Sequence, residues 1–539
     1  MRKKKTGKEK SVEVGTFQVF KNACASVMSV AAGSYLKILN FVLTRNKTIL
    51  FTLIIVVGFG VLSFSATKKE LSPVEDRGLI LVVFSAPEGS SLGYTNTNSM
   101  LIEDQLVKIK EADKYFVISG SPTINKGAAF FRPVPWENRE RSIQEIVGEL
   151  QPGLLSMPGI RAFALLPPAF GQRARSRPIQ LVILSSGSIQ NLEEIGNKIV
   201  SKLSETSLLN GIESDLVLNK PEIKLSINRD LAADLGVKVE DIGRTLESLL
   251  GGRFVTRFKK GNEQYEVIVQ LVSEGRENPR DIRSIYVEGE KEELHPLSSL
   301  VDLEETVGPR ELNHFSQRRA VKISAGLAPG VTIDEALSSV EQIARDNLPE
   351  NAQIDFDGQS REYFEAKNTL FFVFILSIVF IFLVLSAQFE SFAQPIAILV
   401  TVPLALSGAV ATIFLLGGSI NVYSQIGLIA LVGLITKHGI LIVEFGNQCL
   451  AKGMSLKESV LEAASLRFRP ILMTTISTIC GAMPLALASG PGSEAREQIG
   501  WIIVGGMSIG TILTLFVLPT IFLWVNECVM LFSTRKQPD

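Results

Sequence analysis

Residues 425–446, QIGLIALVGLITKHGILIVEFG, are apolar for long enough to cross a bilayer, which takes about 20 residues. Yet Lys437 sits in the middle of that stretch, with His438 beside it and Glu444 two turns on. A lysine at the centre of a spanning helix costs about 2.5–3.5 kcal/mol on insertion scales, and is tolerated where it faces protein or water and has a partner. The stretch therefore demands a bundle around it and a carboxylate opposite Lys437.

The rest of the chain divides around that demand. Its 539 residues are too many for one domain. Residues 67–368 are mixed and charged like a soluble protein, whereas 369–526 are dominated by long apolar runs. The expected class is an α+β membrane protein with six spanning helices, at Thr48–Ala66, Thr369–Ala387, about 395–417, 422–446, 470–489 and 499–525. The N-terminal MRKKKTGKEK and the 447–469 loop, with Lys452, Lys457, Arg467 and Arg469, are basic, so the positive-inside rule makes both ends cytoplasmic and puts 67–368 outside. The 54 Lys and Arg residues balance 55 Asp and Glu, and a net charge of −1 gives no sign of a nucleic-acid partner. Cys24, Cys449, Cys480 and Cys528 all fall in membrane or cytoplasmic segments, so the exterior domain is expected to fold without disulfides. His295, His314 and His438 are scattered, with no metal-ligand spacing. No nucleophile–base set or phosphate loop stands out, so an enzyme is not expected.

Residues 13–44 read as a helix with an apolar face including Phe17, Phe20, Val27, Val30, Tyr35 and Leu39. It either lies in the cytoplasmic membrane interface or docks on the bundle. The exterior region repeats itself. Strands at 79–87, 115–119, 127–131 and 161–166 with helices at 92–111 and 140–151 give a β-α-β-β-α-β order. A second set has strands at 179–185, 212–218, 320–326 and 352–356 and helices at 190–205 and 332–347. It is interrupted by residues 222–312, an inserted subdomain with a Gly251-Gly252 turn.

Within the apolar part, Lys437 and Glu444 share one helical face, as do Arg467, Thr474 and Thr478. Together they can line a hydrated track. Alternatively each threonine bonds its own helix carbonyl, and Arg467 and Arg469 are ordinary loop charges. His438 either titrates near neutrality or is a packed, hydrogen-bonded residue. No Asp occurs in any of the six stretches, so the acid that pairs with Lys437 has to come from elsewhere.

ELSPVEDRG (70–78), LSAQFESFAQPIAILVTVPLALSGA (385–409), GLITKHGILIVEFG (433–446), LRFRPILMT (466–474) and GPGSEAREQIG (490–500) together resemble the C-terminal half of resistance-nodulation-division (RND) efflux pumps of the hydrophobe/amphiphile class. The resemblance runs from about residue 13 to the end. It implies two split-βαβ, ferredoxin-like porter subdomains, at 72–175 and at 176–221 with 312–358, and a docking subdomain at 222–311. Flanking them would be a cytoplasmic basic segment with an interfacial helix (1–47), a first transmembrane helix (48–66), a five-helix bundle (369–526) and a cytoplasmic tail (527–539). It also implies an inner-membrane, multi-pass trimer with a large periplasmic domain, driven by the proton motive force without a bound cofactor. A periplasmic adaptor, an outer-membrane channel, membrane lipid and amphiphilic small molecules are the implied partners. Lys437, Arg467 and Thr474 would belong to the proton relay, opposite an Asp pair on the N-terminal half.

Three departures from the family pattern carry expectations of their own. The N-terminal half has no counterpart in this sequence, which suggests a split transporter whose partner polypeptide supplies the acids. His438 stands where an Asn is usual, which would alter the relay's pH response. Phe116 and Phe130 match aromatic positions of the substrate pocket, but the loop between them is short, and both can equally be core strand residues. Two other readings stand beside the split pump: a half-sized RND-type protein-export factor, and a non-transporting remnant of a split gene.

Overall fold

The computed structural model describes residue 28 and residues 30–167, 177–276, 278–290, 293–309, 311–328 and 330–534. The basic N-terminal segment with Phe17, Phe20, Cys24 and Val27, residues 168–175 at the end of the first expected porter subdomain, and the end of the tail lie outside the described residues.

Helix α1 (Val30–Leu43) precedes α2 (Asn46–Ala66). Tyr35, Leu39 and Leu43, four residues apart, form a buried stripe on α1. Tyr35 stacks on Phe468 at 4.6 Å and donates to the Leu515 carbonyl at 2.8 Å. Of the two expected placements, the described part of this helix adopts the docked one. A short strand, β1 (Lys68–Lys69), leaves α2.

The first sheet domain runs β2 (Ile80–Ser85), α3 (Leu92–Val107), β3 (Ala112–Ser119), β4 (Lys126–Pro133), α4 (Ile143–Leu155) and β5 (Arg161–Leu165). Ser91 caps α3 by accepting from the Tyr94 N–H. Ser142 and Glu145 form a reciprocal capping box on α4. The antiparallel sheet is ordered β3-β4-β2-β5. Alternation sends Ile80, Val82 and Phe84 of β2 toward Ile102 and Leu106 of α3 and Ile143, Ile146, Leu150 and Leu154 of α4.

The second domain starts with β6 (Ile179–Ser185), α5 (Ile189–Ser204) and β7 (Leu209–Ser214). An insertion follows: β8 (Leu218–Ile227), α6 (Arg229–Asp234), α7 (Val239–Leu246), β9 (Arg253–Lys260), β10 (Glu263–Val269), β11 (Tyr286–Glu288), β12 (Leu294–Pro296), α8 (Leu297–Leu300), β13 (Val301–Pro309) and β14 (His314–Phe315). Its core gathers Ala232, Val237, Ile242, Ile282, Val287, Leu297 and Leu300. The β9–β10 hairpin is exposed along almost its whole length. The interrupted domain resumes with β15 (Arg318–Leu327), α9 (Ile333–Asn347) and β16 (Ala352–Phe356). Its sheet is ordered β14-β15-β6-β16, with β7 also on β15, and every residue of β6 is buried. The chain divides into two compact units, one being Ser188–Glu193 with Ser214–Val321, and the other Met1–Gly187, Glu194–Glu213 and Lys322–Asp539.

The helical part comprises α10 (Gly358–Phe389), α11 (Ala393–Leu399), α12 (Thr401–Leu415), α13 (Val422–Ala451), α14 (Leu456–Ala486) and α15 (Ser493–Thr534), with β17 (Ser419–Ile420) before α13. Pro403 has no N–H to give the Leu399 carbonyl, and the helix breaks at Val400 between α11 and α12. Four segments are long and apolar enough to cross a membrane: Gly358–Phe389, Ala393–Leu415, Val422–Ala451 and Ser493–Cys528. The apolar part of α2, Phe51–Ala66, is shorter. Helix α14 carries Lys457, Glu458, Glu462, Arg467 and Arg469 in its first half, which dilutes its apolar character. Phe371, Phe372, Leu376, Phe380 and Leu383 of α10 are exposed, a surface suited to hydrocarbon rather than water. Glycines let α15 lie flush on its neighbours: a side chain at Gly505 would meet Thr412, and one at Gly506 would meet Leu431.

Candidate functional site

Helix α13 has two faces. Gly427, Leu431, Ile435, His438, Ile442 and Gly446 are buried, whereas Ile426, Ala430, Gly433, Lys437, Glu444 and Gln448 are exposed. Steps of three, four and seven put each set on one side. Lys437 thus lies on the exposed face of the helix, and α14 and α15 pack against the face that carries His438. Among the described residues Lys437 makes no ion pair, including with Glu444 two turns further on the same face.

His438 stands on the buried side and is 1% exposed. Its Nε2 lies 3.3 Å from Thr475 Oγ1 of α14, and its Nδ1 3.4 Å from Thr511 Oγ1 of α15. Thr475 gives its own proton to the Ile471 carbonyl at 2.9 Å, so its oxygen is free to accept. Assigned from that pattern, the ring donates from Nε2 to Thr475 and accepts at Nδ1 from Thr511. One imidazole thus ties three helices. The sequence carried no separate signal for Thr475 or Thr511, because an isolated threonine in an apolar helix ordinarily bonds its own backbone.

Arg467 leaves α14 to lay its guanidinium over the Phe445 ring of α13, 4.6 Å from the centroid, and its Nε is buried without a hydrogen-bond partner. Thr474 and Thr478 donate to the carbonyls of Ile471 and Thr474 at 3.0 and 2.9 Å. The structure brings Arg467 to α13, leaves Lys437 on the open face, and satisfies both threonines within their own helix.

Phe116 and Phe130 are cross-strand partners in the β3–β4 register. Phe116 is 64% exposed and Phe130 half-buried, and both stand on the sheet face opposite the helix-covered core, with Leu81 beyond Phe130. They are not part of that core.

A cavity of about 550 Å³ lies among β1, α10, α12 and the start of α13. Phe371, Phe374, Leu406, Val410 and Leu428 supply apolar wall, and Lys69, Glu70, Tyr363 and Lys367 supply polar groups. Asp334 of α9 accepts from the Tyr363 hydroxyl at 2.6 Å and from Lys367 at 3.3 Å, with Lys69 3.8 Å away. Burial works to raise the Asp334 carboxyl, but the Tyr363 hydroxyl and the two ammonium groups outweigh it and hold it below its ordinary range. Burial pushes Glu70 the other way, upward, against a hydrogen bond from Ser419 and the charge of Lys68. Among the described residues no group of His, Cys, Asp and Glu is arranged to hold a metal ion.

The family model of the AcrB/AcrD/AcrF family matches residues 1–526. The chain belongs to this family of RND efflux transporters. It is 32% identical over 498 residues to an uncharacterized transporter of Haemophilus influenzae, covering 91% of this chain and 48% of that protein. It is 31% identical over 511 residues to the multidrug/solvent efflux pump membrane transporter MepB and to the antibiotic efflux pump membrane transporter ArpB, both of Pseudomonas putida, covering 92% of this chain and 48% of each. The AcrB/AcrD/AcrF-family chain thus spans about half the length of the relatives it matches. The family is one of membrane transporters and not an enzyme class.

Proposed function

We propose that the chain is one half of a proton-driven RND transporter exporting amphiphilic or hydrophobic compounds from the inner membrane and periplasm, and that an N-terminal-half RND polypeptide supplies the acidic pair. One observation carries this reading: Lys437 stands midway along an apolar helix, exposed, on a face that the described residues leave uncovered. Such a charge is retained where a partner meets it. Ionised carboxylates on the other half hold Lys437, and protonated ones release it. That difference biases a two-state arrangement of the helices.

In this reading Arg467 and Thr474 complete the relay. His438, on a different side of the helix from Lys437, supports it by fixing α13 to α14 and α15. The helices form six spans, with 72–175 and 176–221 plus 312–358 as periplasmic porter subdomains and 222–311 as the docking subdomain. The assembly is a trimer meeting a periplasmic adaptor and an outer-membrane channel. Phe116 and Phe130 offer an aromatic surface to substrate. The test is dye efflux from cells carrying the chain with its partner half. Efflux that needs both chains and a proton gradient is expected. Unaltered efflux after Lys437→Ala would falsify the reading.

A further inference from the structure

The segment Glu70–Gly78 is stitched residue by residue to elements far away in sequence. Lys68 and Lys69 pair in parallel with Ser419 and Ile420, and the Val422 N–H donates to the Leu71 carbonyl at 3.2 Å. Tyr423, in the first turn of α13, donates to Glu75 Oε1 at 3.4 Å. The last knot is Asp76, whose side chain is 1% exposed. One carboxylate oxygen accepts from the Gly78 N–H at 3.0 Å. The other accepts from the Ile143 N–H, at the N-terminus of α4, at 3.2 Å, and from the guanidinium of Arg139, which is 3% exposed. Arg139 in turn lies over the Trp136 ring at 4.7 Å. The backbone of Asp76 holds a different element: its N–H donates to Glu494 Oε1 in the first turn of α15 at 3.1 Å, and its carbonyl accepts from the Gly492 N–H at 3.2 Å.

We propose that Asp76 is a positioning residue for transport, a joint that passes displacement of α15 to the helix α4 of the first sheet domain. This rests on the proton-driven reading above. Helices α13 and α15 are pinned by His438 to Thr511 and by close approach at Gly427 to Ile502 and at Gly506 to Leu431, so a shift of the Lys437 helix carries α15 with it. Glu494 then moves with α15, Asp76 with Glu494, and the N-terminus of α4 with Asp76. A buried ion pair is by itself weak evidence of stabilisation, and this joint also has an unfinished bond. Glu494 Oε2 is buried with no hydrogen-bond partner. An unsatisfied buried carboxylate oxygen is costly and marks strain or a second arrangement. Here the second arrangement satisfies both oxygens when α15 has shifted.

The test is a double-mutant cycle read by hydrogen–deuterium exchange on the assembled transporter purified from its own membrane. Lys437→Ala is combined with Asp76→Asn. Because a buried aspartate change can impair folding, it is also combined with Glu494→Ala, which leaves the Asp76–Arg139 pair intact. With Asp76 and Glu494 in place, Lys437→Ala is expected to change exchange in both 493–510 and 143–155. In either joint variant the response of 143–155 is expected to fall about tenfold, about 1.4 kcal/mol of coupling, while that of 493–510 persists. Asp334→Asn, at the separate contact between α9 and α10, is expected to leave the response of 143–155 intact. An undiminished response of 143–155 in both joint variants overturns the role of Asp76. Silence in both segments when Lys437 alone is changed overturns the proton-driven reading, and the joint's role with it.

Discussion

Lys437 and His438 are consecutive in α13 and stand on different sides of the helix, the ammonium on the open side and the imidazole locked between Thr475 and Thr511. A step of about 100° per residue separates a group available to another chain from one that holds this chain together. Lys437→Ala removes an exposed side chain with no ion pair among the described residues. It is expected to leave expression and thermal unfolding unchanged within about 0.5 kcal/mol while reducing proton-dependent efflux to background. Dye efflux and a melting curve on one preparation check both halves.

His438→Ala should do the reverse. It removes the ring from a cluster in which Thr475 and Thr511 also lie 3.3 Å from each other, and opens a void between three helices, at a cost of about 0.5–3 kcal/mol. His438→Asn keeps a donor and an acceptor and should cost less. Thermal unfolding of the three proteins in detergent ranks them, and equal melting of the alanine variant and the parent would show that the ring ties nothing.

Gly500 faces the α14 backbone, where an added methyl would strike the nitrogen of Ala486. Main chain cannot swing aside as a long side chain can. Gly500→Ala is therefore expected to destabilise by about 1–3 kcal/mol, the range for overpacking, seen as reduced yield and a lower melting temperature. Gly481, with nothing near it, is the matched control.

The Asp334 carboxyl titrates below its ordinary range, so its ionised form is favoured in the folded protein. Its contribution is present above the unfolded carboxylate value of about 3.9 and is lost as pH falls through the lower folded value. Asp334→Asn should lower stability at neutral pH and flatten that acid limb. Melting curves on both sides of the window, with Tyr363→Phe as a second probe of the same contact, read the effect.

Phe116 and Phe131 separate surface from core within one sheet. Phe131 is fully buried, and Phe131→Ala is expected to cost about 3–5 kcal/mol. Phe116→Ala, on the open face, should leave stability nearly unchanged and alter which dyes are exported. An unchanged substrate range in a well-folded variant would remove Phe116 from the substrate surface.

The pattern of apolar residues was legible where one period dominated. The short, nearly continuous apolar run IQLVILS places a strand at 179–185, and the same residues form β6. The helix expected at 140–151 forms at Ile143–Leu155, its start set by the Ser142 and Glu145 capping box. At Lys437 the sequence told that a partner is required and that no Asp of the six apolar stretches supplies it, but helical spacing gives a face without saying which helices lie against it. The two readings of His438 were separable only by tertiary contact, because its partners lie 37 and 73 residues away. The Asp76 joint was illegible for the same reason. Asp, Arg and Glu in polar loops are common, and only folding brings residues 76, 139 and 494 together.

The interruption of the second sheet has a consequence for how the chain is made. Strand β6 is buried throughout, yet β15 and β16 on its two edges are synthesised only after the insertion. One edge of β6 stays open until β15 ends at residue 327 and the other until β16 ends at residue 356, and such non-local pairing is slow to form and prone to association with other chains. A product cut short inside 222–311 would carry an unpaired IQLVILS segment and is a candidate for rapid clearance, which makes the loop after Pro309 a checkpoint in assembly as much as a connection in space.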